Sequence, residues 1–392
     1  MSLCQKPWVK DSWHVNSVMV FDHYQNSTSG SNHSSQTSGI LKLKKLRKYL
    51  LSASLTSLLF LNSGCAVVKY GPDLLSGERR ILRNSQPIEE VLKEESIDKK
   101  IKSKLLLVQE AKQFAVQELG LKPTKNYEKV NLIDSAPILL LASPKDKLEL
   151  KKTNWLFFES SYLPFFDIKD ALKEKKSLEE KGYDVFMTEI LAYSTLGWFQ
   201  EPILKNMLEE NETELSNAVF HETTHNTLHN LKNIGFTEGI ASFIGNQGAR
   251  EFIVKKYGEN SPQYKNAEDA KLDSQLFSEF INNLYYELDE LYKSELSKEE
   301  KLKKREEIFS SSKIEFEELK KQLKTGLYLE SIETKLNNAY VLSHLLYRED
   351  YGLYDKIYNS ENRDMKKTLE LFKQASKQKV PDEFLKEYLG KR

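Results

Sequence analysis

A chain of 392 residues can bury one large hydrophobic core or two small ones. With 39% hydrophobic and 11% aromatic residues, wholesale disorder is excluded. Lys plus Arg and Asp plus Glu both number 58, so no global field favours nucleic acid, and no such partner is expected. The cysteines are Cys4 and Cys65 alone, which leaves the main body without a disulfide framework or a cysteine metal site.

Residues 1–40 are polar and rich in Ser, Asn and Gly, the composition of a disordered extension. Residues 41–64 carry a basic cluster (Lys42, Lys44, Lys45, Arg47, Lys48), an apolar run from Tyr49 to Leu61, and small residues before Cys65. That is the layout of a secretion signal, and the run is too short to span a bilayer. From Cys65 onward the chain, 65–392, reads as a predominantly helical α+β domain. Ile97 to Leu119 has helical apolar spacing and stops at Gly120. Ala136 to Ala142 and Trp155 to Phe158 are short apolar runs that fit buried strands. Asp167 to Lys181 reads as a charged helix ended by Gly182, and Asp184 to Thr195 as a strand. Residues 267–325 are heavily charged, with apolar side chains at helical spacing. Ser297 to Glu300 is a capping-box pattern, so a long helical hairpin is expected there, read first as a solvated structural arm.

The segment that carries chemistry runs from Asn211 to Phe243. Asn211 with Glu214 can cap a helix on which His221, Glu222, Thr223, Thr224 and His225 spell H-E-x-x-H. Four residues is just over one turn, so both imidazoles project from one face and can meet one zinc ion. Glu222 is placed beside them as the general base that takes a proton from the attacking water. A catalytic zinc site needs a third protein ligand. Gly235 is expected to end the first helix and Phe236 to begin a second, which folds back and brings Glu238 to the metal. His229 lies about 12 Å along a continuous helix from His221, too far to share the ion. By residue frequencies the motif arises by chance on the order of once in a hundred chains of this length.

At these residues the sequence resembles a family of bacterial zinc aminopeptidases, lipoproteins of the gluzincin type. The resemblance covers roughly residues 60–360. It is carried by Ser63-Gly64-Cys65, Pro87 to Leu92, Gly182 to Val185, Ala192 to Phe199, the metal helix with Glu238, and Leu336 to Ala339. It implies a gluzincin-like fold with a small mixed sheet, one Zn2+ as cofactor, a peptide as substrate, and Cys65 as a lipid-modified residue holding the protein to the bacterial cell envelope. It also implies a substrate edge at Tyr193, Ser194, Thr195 and Gly197, although core packing accounts for Tyr193, Trp198 and Phe199 equally well. An oxyanion donor is expected among Tyr347, Tyr340 and His344, with Tyr347 the first choice. The chain departs from the family in having Thr223 and Thr224 where a small apolar pair is usual, and Thr237 and Gly239 around the third ligand. A Gly-x-Met-Glu-Asn motif, with which many gluzincin aminopeptidases hold a free N-terminus, is absent. Two rival readings stay open: a non-catalytic metal-binding envelope lipoprotein that acts as an interaction module, and an endopeptidase on the same site.

Overall fold

A computed structural model describes residues 65–134, 136–155, 159–193, 199–228, 234–329, 336–345 and 351–391. The expected polar extension and signal segment lie outside the described residues. The chain is α+β and mostly helical, with small mixed sheets. Helix α1 (Cys65–Arg83) leads through β1 (Gln86–Pro87) and the short α2 (Ile88–Val91) to α3 (Lys99–Gln117). The Asp98 side chain caps α3 by accepting from the Lys100 amide, and Gly120 follows it with φ 74°. Strand β2 (Lys129–Asn131) lies between β1 and β8 (Ile203–Leu204), antiparallel to the first and parallel to the second.

A second three-stranded sheet places β3 (Ile138–Pro144) between β6 (Tyr162–Phe165) and β7 (Tyr183–Glu189), antiparallel to both. Its centre strand is apolar at successive positions because both faces are buried. Ile138, Leu140 and Ala142 face a small core with Leu74, Ala171 and Leu178, whereas Leu139 and Leu141 face the large helical core. Beside it β4 (Thr153–Asn154) and β5 (Glu159–Ser160) pair antiparallel. The small core is closed by α1 and by α4 (Ile168–Glu180), whose N-cap Asp167 accepts from the Lys169 amide.

Two expectations change here. Trp155 is buried but lies just past β4 rather than opening a strand, and residues 156–158 are outside the described set. Strand β7 ends at Glu189 instead of running to Thr195; the Ile190 amide turns to the Pro137 carbonyl at 2.9 Å, and Leu191 to Tyr193 enter the large core. A helix over 65–83 was not expected, since Gly71 and Pro72 sit within it. It forms because Tyr70 packs on Trp155 and Phe165, and because Leu74 and Ile81 are buried one heptad apart.

After α5 (Lys205–Glu209) come the two central helices, α6 (Glu212–Thr227) and α7 (Ile234–Tyr257). The hairpin follows as α8 (Pro262–Lys293) and α9 (Lys298–Lys320), opened at Ser297 by the expected capping box with Glu300. It is not simply a solvated arm. Arg305 of α9 is buried and donates to Asp184 of β7 at 2.6 Å and to the Lys145 carbonyl at 2.7 Å. The same Asp184 oxygen accepts the Asn338 amide at 3.0 Å, while Asn338 Nδ2 donates to the Pro144 carbonyl. The blocks Gly182–Val185 and Leu336–Ala339, far apart in sequence, therefore meet and clamp the hairpin to the sheet. Helices α10 (Asn338–Leu345), α11 (Tyr351–Ser360), α12 (Met365–Ala375) and α13 (Pro381–Gly390) complete the large core. None of the described helices is long and apolar enough to cross a membrane.

Candidate metal centre

Helix α6 starts where the sequence indicates. The Asn211 side chain accepts the Glu214 amide at 3.0 Å, and Glu212 and Glu214 occupy the positive end of the helix. From Thr213 to His225 every residue is buried, so this is a central helix wrapped on all sides. It ends at Thr227, with Leu228 as C-cap, earlier than the expected stop at Gly235; Gly235 instead lies in the first turn of α7. His229 lies outside the described residues.

Helix α7 returns antiparallel to α6, as a run of paired contacts shows. Asn217 donates to Asn246 at 2.9 Å, Ser242 Oγ stands 3.5 Å from His221 Nδ1, and Glu238 reaches both histidines. The close approach requires Gly245, since a Cβ there would lie 2.2 Å from Asn217 Oδ1 and 3.3 Å from His221 Cβ. The result is a triangle of donor atoms. His221 Nε2 and His225 Nε2 are 3.0 Å apart, and Glu238 Oε2 lies 3.4 Å from the first and 3.5 Å from the second.

This triangle fits a metal ion. Bonds of the length that zinc makes to imidazole and carboxylate, arranged tetrahedrally, put neighbouring ligand atoms about 3.3 Å apart. Among the described residues, His221, His225 and Glu238 form the one such group of three His, Cys, Asp or Glu side chains. Protonation suits a cation as well. Burial holds the His221 imidazole down at about 4, so it is neutral at pH 7. Burial also pushes the Glu238 carboxyl up, but the two imidazoles, His225 foremost, outweigh it and hold this carboxyl at about 2. A neutral imidazole and an ionised carboxylate are the ligand forms. Ser242 stands behind the centre, beside His221 Nδ1.

Glu222 is fully buried on the same helix. The two threonines beside it are absorbed by the helix itself: Thr223 Oγ1 donates to the Val219 carbonyl at 2.7 Å and Thr224 Oγ1 to the Phe220 carbonyl at 2.8 Å. With their hydroxyls satisfied four residues back, they pack as the small apolar pair would. Thr237 is buried next to the third ligand.

The other expected site residues fare differently. Tyr193 is buried in the core with its ring edge-on to Phe166 at 5.9 Å. It therefore forms no exposed substrate edge, while Ser194, Thr195 and Gly197 lie outside the described residues. Tyr347 also lies outside them. Tyr340 is fully buried, edge-on to Phe186 and to His344, and His344 stands edge-on to Phe277 of α8, where burial holds its imidazole down at about 3.

A family model described as "Putative aminopeptidase" matches residues 69–384. The chain belongs to that family. Among curated proteins and among solved structures, nothing matches the chain. The aminopeptidase-family match spans α1 through α13, so it takes in both central helices, the hairpin and the sheet.

One feature of this aminopeptidase-family chain escaped sequence reading. Glu78 lies on the buried stripe of α1, four residues after Leu74 and three before Ile81, and is only 4% exposed. The groups that act on it are Tyr193 and Glu201, neither of them nearby in sequence. A charged residue on an apolar helical stripe was the available signal.

Proposed function

We propose that the protein is a zinc-dependent peptidase, in keeping with its family an aminopeptidase, that hydrolyses peptide bonds with Glu222 as general base. The observation that carries this reading is the triangle of donor atoms from His221 and His225 of α6 and Glu238 of α7, with Glu222 on α6 beside the histidines. One Zn2+ held by these three residues would act as Lewis acid toward the scissile carbonyl. His221 and His225 would contribute ring nitrogens, and Glu238 the negative charge that keeps the ion. Glu222 takes the proton of the attacking water and delivers it to the departing amine, so its carboxylate ends the cycle as it began. Its burial keeps bulk water away from the proton it holds.

The location that goes with this reading is the bacterial cell envelope, with the chain anchored through a lipid on Cys65. What supports it is the basic cluster, apolar run and small residues before that cysteine. Labelling with a lipid precursor in cells, comparing the native chain with Cys65→Ala, tests the anchor.

Glu222→Gln tests the mechanism. The variant should bind zinc like the native protein while its turnover falls by about 10²–10⁴. Full peptidase activity in that variant would overturn the assignment of the base. If native, zinc-loaded protein cleaves no member of a peptide library, the non-catalytic rival holds instead.

A further inference from the structure

The third ligand comes from a different helix than the two histidines, so its place depends on the depth and register at which α7 lies on α6. Glu238, Ser242 and Gly245 follow one another at intervals of four and three residues, which sets them on one face of α7, turned to α6. The contacts along that face are matched step for step. Glu238 meets His225; eight residues further along α7, Asn246 accepts from Nδ2 of Asn217, eight residues back along α6, at 2.9 Å. Eight residues span about 12 Å on either helix, so the two contacts pin the antiparallel register at well-separated points.

The second of these points also sets the depth. Asn217 is 3% exposed and sits four residues before His221. Its Oδ1 has no hydrogen-bond partner among the described residues and faces Gly245, whose hydrogen in place of a Cβ points at it. A Cβ at 245 would lie 2.2 Å from this oxygen, 3.2 Å from the Asn217 carbonyl oxygen and 3.3 Å from His221 Cβ. Turning the Asn217 side chain away would break its bond to Asn246 and still leave the other two contacts, both on the frame of α6. Otherwise α7 must lift by about 1 Å to reach ordinary van der Waals distance. A functional site holds its groups to about 0.5 Å, so a lift of that size takes Glu238 out of the triangle.

We propose that Gly245 and the Asn217–Asn246 pair are positioning residues for the metal centre. They stand outside the ligand triangle and set the register and depth at which α7 delivers Glu238 to His221 and His225. The inference rests on the zinc-binding part of the reading above and adds residues that no metal motif contains. Gly248, three residues further along the same helix, shows that the requirement is local. A Cβ there would lie 2.6 Å from Leu119 Cδ1 and 3.3 Å from Phe220 Cδ2. Both are outer atoms of side chains that can turn, so room is found there without lifting α7 from α6.

The test measures zinc affinity by competition with a chelating dye, the absorption spectrum of the cobalt-loaded protein, and melting curves, all on the full chain. Gly245→Ala should bind zinc about tenfold to a hundredfold more weakly, the range that losing an outer partner of a ligand costs, and should shift the cobalt bands, which report coordination geometry. Gly248→Ala replaces a glycine of the same helix and should leave zinc affinity and cobalt bands unchanged, whatever it does to melting. Asn246→Ala should weaken zinc binding about threefold to tenfold, the worth of one hydrogen bond, and Asn246→Asp, which keeps an acceptor for Asn217, should restore it. Native affinity and spectrum in Gly245→Ala, or an equal loss of affinity in Gly248→Ala, overturns the positioning role. If Gly245→Ala does not fold, the two Asn246 variants decide, and equal affinity in both overturns it. A native chain that binds no zinc is the separate failure of the parent reading, and it removes this inference as well.

Discussion

The metal triangle and the Glu78–Glu201 cluster each bury a carboxylate, yet the two carboxyls move in opposite directions. Glu238 is held at about 2, whereas burial, with Glu201 adding to it, pushes Glu78 up to about 7. Burial acts in the same sense on both. The difference is the company: two imidazoles beside Glu238, a second carboxylate and a phenol beside Glu78. A third buried carboxylate, Asp184, has Arg305 as its partner and closes a structural clamp instead of a site. A buried acid thus takes its charge state and its part in the fold from the elements that meet around it.

The largest expected effect breaks the first region. Glu238→Ala leaves two nitrogens without the charge that holds a dication, and zinc affinity should fall by more than the tenfold to hundredfold that loss of an outer partner costs. Competition with a chelating dye measures it, and near-native affinity would mean that Glu238 is not a ligand. The clamp comes next. Asp184→Ala strands Arg305 in the core and should lower stability by about 3–5 kcal/mol in denaturant titration. A loss below about 1 kcal/mol would show that the hairpin docks without the ion pair.

Glu78 should behave in the opposite way. Its folded value lies above the ordinary 4.5, so the folded state prefers the protonated form. Its contribution is fully present below pH 4.5 and is lost as pH rises through about 7, on the order of 3 kcal/mol by pH 8. Glu78→Gln should therefore stabilise the protein at pH 8 relative to the native chain and do little at pH 4, by denaturant midpoints at both values. Equal differences at the two pH values would contradict the raised carboxyl. The smallest effect is expected at Thr223→Ala and Thr224→Ala. Their hydroxyls only return to carbonyls of their own helix, so each should cost about 1 kcal/mol or less and leave zinc affinity unchanged.

Much of this was legible in the sequence where the information is local. The Asn211 and Ser297 caps, the stops near Gly120 and Gly182, the apolar centre strand and the paired histidines all depend on residues within a few positions of one another. The errors lie where tertiary contacts overrule local preference. Helix α1 runs through Gly71 and Pro72 because its apolar stripe has a core to cover. Strand β7 stops at Glu189 because the chain then turns toward Pro137 and into the helical core.

By itself the sequence determined the spacing of the candidate metal ligands, since a 3.6-residue turn places His221 and His225 on one face whatever surrounds them. It also supplied Glu238 as the acid that a returning helix could bring. Only the tertiary structure decided that Asp184 and Asn338 clamp the hairpin, and that Glu78 is buried with Tyr193 and Glu201 acting on it. Those groups are separated by tens of residues, so their meeting depends on how layers pack, and a buried charge takes its meaning from neighbours that no local pattern records.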